Sequence, residues 1–193
     1  MEAKFSQLRN FYCGKSLDDK IGGFINACIL RKLHDEGVDL PFNLVVVNAV
    51  QEEVGLFGAK IAANTIQPDV AIAIDVCHDT KNPADNGKSG TVVAGGGVVF
   101  GDAPSIHKNL LKMFKEIAKI NDIPYQIVAS GIGSGTNADS YAYPLGCPTG
   151  LIKMAMRYMH TTVETVHKED VDKTIDLLYE VLATGFLEND LKY

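Results

Sequence analysis

The sequence lacks any CxxC pair: its four cysteines, Cys13, Cys28, Cys77 and Cys147, are scattered along the chain. Three of them sit in or beside apolar runs, where a thiol behaves as a small hydrophobe, and a reducing compartment fits this usage. Runs of Lys and Arg are also absent. With a formal net charge of -6 and a pI near 5.3, the surface is not built to neutralise phosphate, so nucleic acid is not an expected partner. No stretch approaches the roughly 20 apolar residues that cross a bilayer, and the opening Met-Glu-Ala-Lys-Phe-Ser-Gln has no apolar core of a signal peptide. A cytoplasmic protein without membrane contact is expected. Repeats, low-complexity tracts and interdomain linkers are missing too. What remains is ordinary globular composition, 193 residues with 46% hydrophobic and 22% charged, enough for one domain with a substantial core.

Hydrophobic spacing then predicts alternating elements. Residues 18–36 read as a helix, with Ile21, Phe24, Ile25, Cys28, Ile29 and Leu33 recurring at three and four and Gly37 as a stop. Residues 42–50 form a continuous Val-rich run, the pattern of a strand covered on both faces. Helical spacing returns over 55–66, and strands are expected at 70–76 and at 91–99, the latter interrupted by Gly95, Gly96 and Gly97. Residues 104–120 read as a helix with Pro104 in its first turn, followed by a strand at 125–129, a short helix at 138–145, a strand at 149–154 and an amphipathic helix at 169–187. Residues 81–90, rich in Lys, Asn, Asp and Gly, read as a surface loop, and residues 4–13 as an extended entry. Such alternation implies an α/β fold, a mostly parallel sheet sandwiched between helices.

In such a fold ligands bind beyond the carboxyl ends of the strands. Three acidic groups fall there: Glu52 and Glu53 after the run at 42–50, Asp75 at the end of the strand at 70–76, and Asp18 with Asp19 at the first helix. Singly, each has a structural reading, as a helix cap or as charge at a helix N-terminus. Gathered at one sheet edge they repel one another, and a cation is what stabilises that arrangement. Neighbouring side chains at a strand end point in different directions, so one of Glu52 and Glu53 can bind metal while the other handles a proton. His160 follows the strand at 149–154 and is the favoured imidazole. His78 and His107 rank below it, and His34 and His167 have helix-terminal positions that account for them.

These residues resemble metallopeptidase family forty-two, the TET aminopeptidases, some labelled glutamyl aminopeptidase or cellulase M. The resemblance covers residue 12 to the end, in order. Gly14-Lys15-Ser16-Leu17-Asp18-Asp19-Lys20-Ile21-Gly22 is similar to the family's bridging-aspartate motif, with Lys20 where Arg is usual. Gln51-Glu52-Glu53-Val54-Gly55 resembles its glutamate pair, Ile74-Asp75-Val76 its third acidic ligand, and Arg157-Tyr158-Met159-His160 its terminal histidine. The resemblance implies a dinuclear aminopeptidase in which two divalent ions, zinc or cobalt, activate a water. Asp18 would bridge them, Glu53 and His160 would complete one site, Asp75 would serve the other, and Glu52 would be the general base. The substrates implied are short peptides with a free N-terminus, bound at a glycine-rich loop containing Gly135, Thr136 and Asn137. Asn137 stands where the family commonly has Asp.

One family motif is absent: a His-x-Asp upstream of the bridging aspartate, followed by an inserted β-rich dimerisation domain. Residues 1–13 are therefore expected to be the strand returning from that domain, and 14–193 the catalytic domain without its N-terminal segment. The full-length protein would be a homo-oligomer. His78 or His107 is the alternative source of the missing imidazole. An N-acyl amino acid deacylase and a non-catalytic subunit with a degraded site are the alternative functions. Sugar hydrolysis by two carboxylates needs no metal cluster, which disfavours the cellulase label.

Overall fold

The computed structural model describes residues 4–81, 90–186 and 191–192. The elements run β1 (Ser6–Leu8), β2 (Phe11–Gly14), α1 (Leu17–Asp35), α2 (Phe57–Ile66), β3 (Ala71–His78), β4 (Val98–Asp102), α3 (Lys108–Ile120), β5 (Tyr125–Ala129), α4 (Ala138–Leu145), β6 (Thr149–Arg157), β7 (Glu164–His167) and α5 (Lys168–Thr184). The helix-flanked α/β sheet expected from the sequence is present. Parallel pairing is confined to two ladders, β3 with β6 and β4 with β5, while the remaining pairs are antiparallel.

β6 organises the sheet. One edge pairs with β3 from Ala71↔Thr149 to His78↔Met156, and the other is shared by β4, at Phe100↔Ile152, and β7, at Met156↔Val166. Its residues Leu151, Ile152, Met154 and Met156 are almost fully buried, as a strand covered on both faces requires. Beyond β7 the chain's first strands complete an antiparallel end, β7–β2–β1. The main core lies between the sheet and α1, α3 and α5, with Ile25, Leu110, Phe114, Leu177 and Val181 at its centre.

Several boundaries differ from expectation, each for a local reason. The strand expected over 91–99 begins only at Val98, because the preceding amides bond to side chains instead of a ladder. Val93 N–H donates to Gln126 (2.8 Å), and Gly95 and Gly97 N–H donate to the buried Asp170 carboxylate (2.7 and 2.8 Å). The helix expected from 104 starts at Lys108, since the His107 amide donates to the Thr149 carbonyl and holds His107 extended. Pro104 thus precedes the helix. β7 was not expected, and residues 82–89 and 187–190, which include most of the expected surface loop and one helix end, lie outside the described residues. The largest departure is the run 42–50. Its apolar pattern is that of a buried strand, yet among the described residues it belongs to no ladder.

Candidate metal centre

α1 begins irregularly. Asp18 and Asp19 lack helical dihedrals (φ -79°, ψ 106° and φ -118°, ψ 51°), and the regular helix continues from Lys20. Asp19 accepts the Gly22 N–H at 3.0 Å, so it caps this continuing helix and satisfies one of its orphan amides. A side chain at Gly22 would collide with that carboxylate. The cap role therefore falls to Asp19, and the Asp18 carboxylate is left for other partners.

Those partners come from two distant segments. His160 Nε2 lies 3.2 Å from Asp18 Oδ2 and 3.2 Å from Glu53 Oε2. One ligand atom from each of Asp18, Glu53 and His160 lies within 4.8 Å of the others, a spacing a single cation can span. Backbone strain accompanies all three segments: Ser16, Gln51 and His160 have positive φ of 58°, 59° and 62° without being glycine. Conformations of that kind cost energy and concentrate where geometry is imposed for function.

A residue outside the sequence expectations ties the centre together. Glu164, on β7, is 3% exposed. Its Oε2 accepts the Asp18 N–H (3.1 Å) and its Oε1 accepts the His160 N–H (2.8 Å), so one buried carboxylate fixes the main chain of two members of the trio. The sequence signal for it was weak: an acid four residues beyond His160 in a short strand.

The other acids surround this trio. Asp75 and Glu52 line the same trough as Asp18, Asp19 and Glu53. Burial first, then the neighbouring carboxylates, pushes Asp18 up to about 6 and Glu52 up to about 7. Burial and Asp75 likewise lift Asp19 to about 8, although part of the residue remains open to the trough. Asp75 is raised chiefly by burial, opposed by Lys153, its register partner on β6, and by the Val76 N–H. Within the acidic group Lys153 is the cation nearest in register to Asp75, yet it forms no ion pair with it.

Of the remaining expected residues, Gly135 (φ 66°) and Thr136 belong to a loop held by Asp139, which accepts N–H donors from Ser134 (3.1 Å) and Gly135 (3.2 Å). Burial alone would raise Asp139, but the hydroxyls of Ser105 and Ser134 and these amides hold it below the usual range. Asn137 faces the trough, while Gly135 and Thr136 do not line it. Neither His78 nor His107 joins the ligand trio; His107 is buried beneath the start of α3.

A carboxylate–imidazole trio at the sheet end, an adjacent glutamate and this fold narrow the comparison, and one match decides it. The family model described as M42 glutamyl aminopeptidase covers residues 1–177. The chain belongs to the M42 glutamyl aminopeptidase family. Among M42 relatives, a lysyl aminopeptidase of Pyrococcus furiosus is 36% identical over 167 residues, covering 86% of this chain and 46% of the relative. A TET aminopeptidase from a marine-sediment thaumarchaeon has a similar structure, with a TM-score of 0.88 at 28% identity over 97% of this chain and 54% of that one. The Pyrococcus horikoshii TET1 peptidase, which assembles into a tetrahedron or a large octahedral shell, gives 0.78 at 28% identity over 94% and 53%. The chain spans about half the length of the curated relatives it matches. No helix among the described residues is long and apolar enough to cross a membrane.

Two outcomes follow from the electrostatics. Raised carboxylates bind protons more readily in the folded than in the unfolded state, so the metal-free fold loses stability as pH rises from about 4 through the folded values of about 6, 7 and 8 for Asp18, Glu52 and Asp19. Thermal melts in chelator at pH 5 and pH 8 should show the lower Tm at pH 8, and an added divalent cation should narrow the gap; a higher Tm at pH 8 in chelator would contradict the crowding. Glu164→Gln removes one of the two acceptor oxygens and should weaken metal binding by about 10- to 100-fold, read by calorimetry, with far-ultraviolet dichroism unchanged.

Proposed function

We propose that this chain carries the catalytic centre of a metal-dependent aminopeptidase that removes N-terminal residues from short peptides. The observation that carries the reading is the convergence of Asp18, Glu53 and His160, with Glu52 adjacent in sequence but outside the trio. The donor set, two carboxylates and an imidazole, suits zinc or cobalt. Asp18, Glu53 and His160 would hold one ion. A second ion would have Asp18 and Asp75 as ligands, without an imidazole among the described residues. Bound there, a divalent cation lowers the pKa of a water and polarises a carbonyl.

The chain's own groups supply the remaining steps. Glu52, raised to about 7, is poised to take a proton from the attacking water and return it to the departing amine. Burial holds it there first, and crowding by Asp75, Glu53 and Asp18 adds to it, since each disfavours its charged form. The acidic rim of the trough offers the free amino terminus of a peptide a favourable environment, and Asn137 is placed to contact the backbone or side chain of the substrate. The glycine-rich loop around Gly135 and Thr136 supports Asn137 through the Asp139 hydrogen bonds. Residues 1–13 would be the return strand of a further domain; within the described residues β1 and β2 extend the sheet's antiparallel end. By analogy with the shell-forming relative, the whole protein would assemble as a homo-oligomer. An N-acyl amino acid deacylase would share these ligands, and assays with aminoacyl and N-acetyl substrates side by side separate the two.

Glu52→Gln should keep the metal and the fold while lowering turnover by about 10² to 10⁴, because the amide cannot accept a proton. Glu53→Gln should lose the metal. Equal metal loss in both variants would overturn the division of labour between them. Calorimetric titration of the 193-residue chain with zinc should reveal one tight site, because the ligands for a second ion are incomplete; two equivalent tight sites would assign an imidazole such as His78 or His107 to the second ion.

A further inference from the structure

Asp75 and Lys153 are register partners on the parallel strands β3 and β6. Neighbouring strands lie about 4.8 Å apart and side chains alternate between faces, so residues in register on parallel neighbours stand side by side on one face. Further along that face the same placement produces a closed ion pair. Just beyond the end of β3 the buried Asp79 meets Arg157, the last residue of β6, with Nε to Oδ2 at 2.6 Å. Between the two acid–base positions lie Cys77 and Ala155, register partners and both buried. The face therefore sets acid against base twice, closed at Asp79–Arg157 and open at Asp75–Lys153. Among the described residues Lys153 forms no ion pair.

Lys153 is half-buried, and its charge is felt by both acids of this corner. Burial, the largest influence, raises Asp75 and Glu52, and Lys153 acts against that rise at each of them. His160 also lowers Asp18 and Asp75, but its ring nitrogen already lies between Asp18 and Glu53 in the trio. A lysine ammonium is a compact point charge on a flexible four-carbon stem, well suited to swing onto a carboxylate one strand away. A divalent ion on Asp75 would stand beside that ammonium and be repelled by it.

We infer that Lys153 is the built-in cation of the Asp75 corner: its ammonium serves the Asp75 carboxylate in place of a second metal ion, and the centre takes one divalent ion, at Asp18, Glu53 and His160. This role goes beyond the proposed activity and rests on the metal-centre part of that reading. Positive charge beside Asp75 and Glu52 is then set by the sequence and does not vary with the metal supply.

Cobalt(II) alone is the probe, titrated into the 193-residue chain with stoichiometry read by equilibrium dialysis and ligand field by visible absorption. The wild type and Lys153→Arg should each hold one ion tightly. Lys153→Gln keeps much of the side chain's length without its charge, and it should bind a second ion at least about tenfold more tightly than the wild type does. That second equivalent should change the absorption spectrum, and Asp75→Asn added to Lys153→Gln should abolish the gain. Lys153→Met gives the same reading should the amide disturb the fold, which far-ultraviolet dichroism checks. Two tight ions in the wild type would overturn the role of Lys153. So would second-ion binding unchanged in Lys153→Gln and Lys153→Met, a gain of equal size in Lys153→Arg, or a gain that survives Asp75→Asn. A wild-type chain that holds no ion at all would instead remove the metal centre itself, and the role of Lys153 with it.

Discussion

Carboxylates at the end of a sheet repel one another, and the corner formed by Asp18, Asp19, Glu52, Glu53 and Asp75 is shaped by how that repulsion is contained. Burial raises the cost of each charge, and each neighbour raises it further, which is why Asp18, Asp19 and Glu52 all titrate well above ordinary carboxylates. The protein supplies partial compensation from its own main chain. Gly22 N–H meets Asp19 and Val76 N–H meets Asp75, while His160 Nε2 stands between Asp18 and Glu53. None of these groups carries the two positive charges that a divalent cation brings. A bound divalent cation would relieve that repulsion, and burial together with the same crowding holds Glu52 at about 7.

Holding Asp18, Glu53 and His160, from three sequence-distant segments, together against that repulsion demands a rigid frame. β6 provides it, because its nine residues pair with β3, β4 and β7 and deliver the chain to His160. Glu164 completes the frame from the other side, joining the Asp18 and His160 main chains through a single buried carboxylate. Its carboxylate adds to the crowding, as its effect on Asp18 shows, yet its oxygens are occupied by N–H donors and so serve the geometry of the main chain. A local anion is tolerated because it fixes the main chain of Asp18 and His160 at once.

Much of this was legible in the sequence where local chemistry decides the outcome. β5 and α4 have the expected bounds, Tyr125–Ala129 and Ala138–Leu145, because apolar spacing and flanking glycines act over a few residues. Placement at element ends offered Asp18, Asp19, Glu52, Glu53, Asp75 and His160; the family resemblance selected Asp18, Glu53 and His160 among them, and topology brings those three together. Glu164 was not, since its role comes from accepting two main-chain amides, and no side-chain pattern announces such an acceptor. The start of β4 was missed because the preceding amides are claimed by Gln126 and Asp170, partners 33 or more residues away. The run 42–50 fails differently: its composition is that of a central strand, and a strand is defined by its neighbours as much as by its own residues.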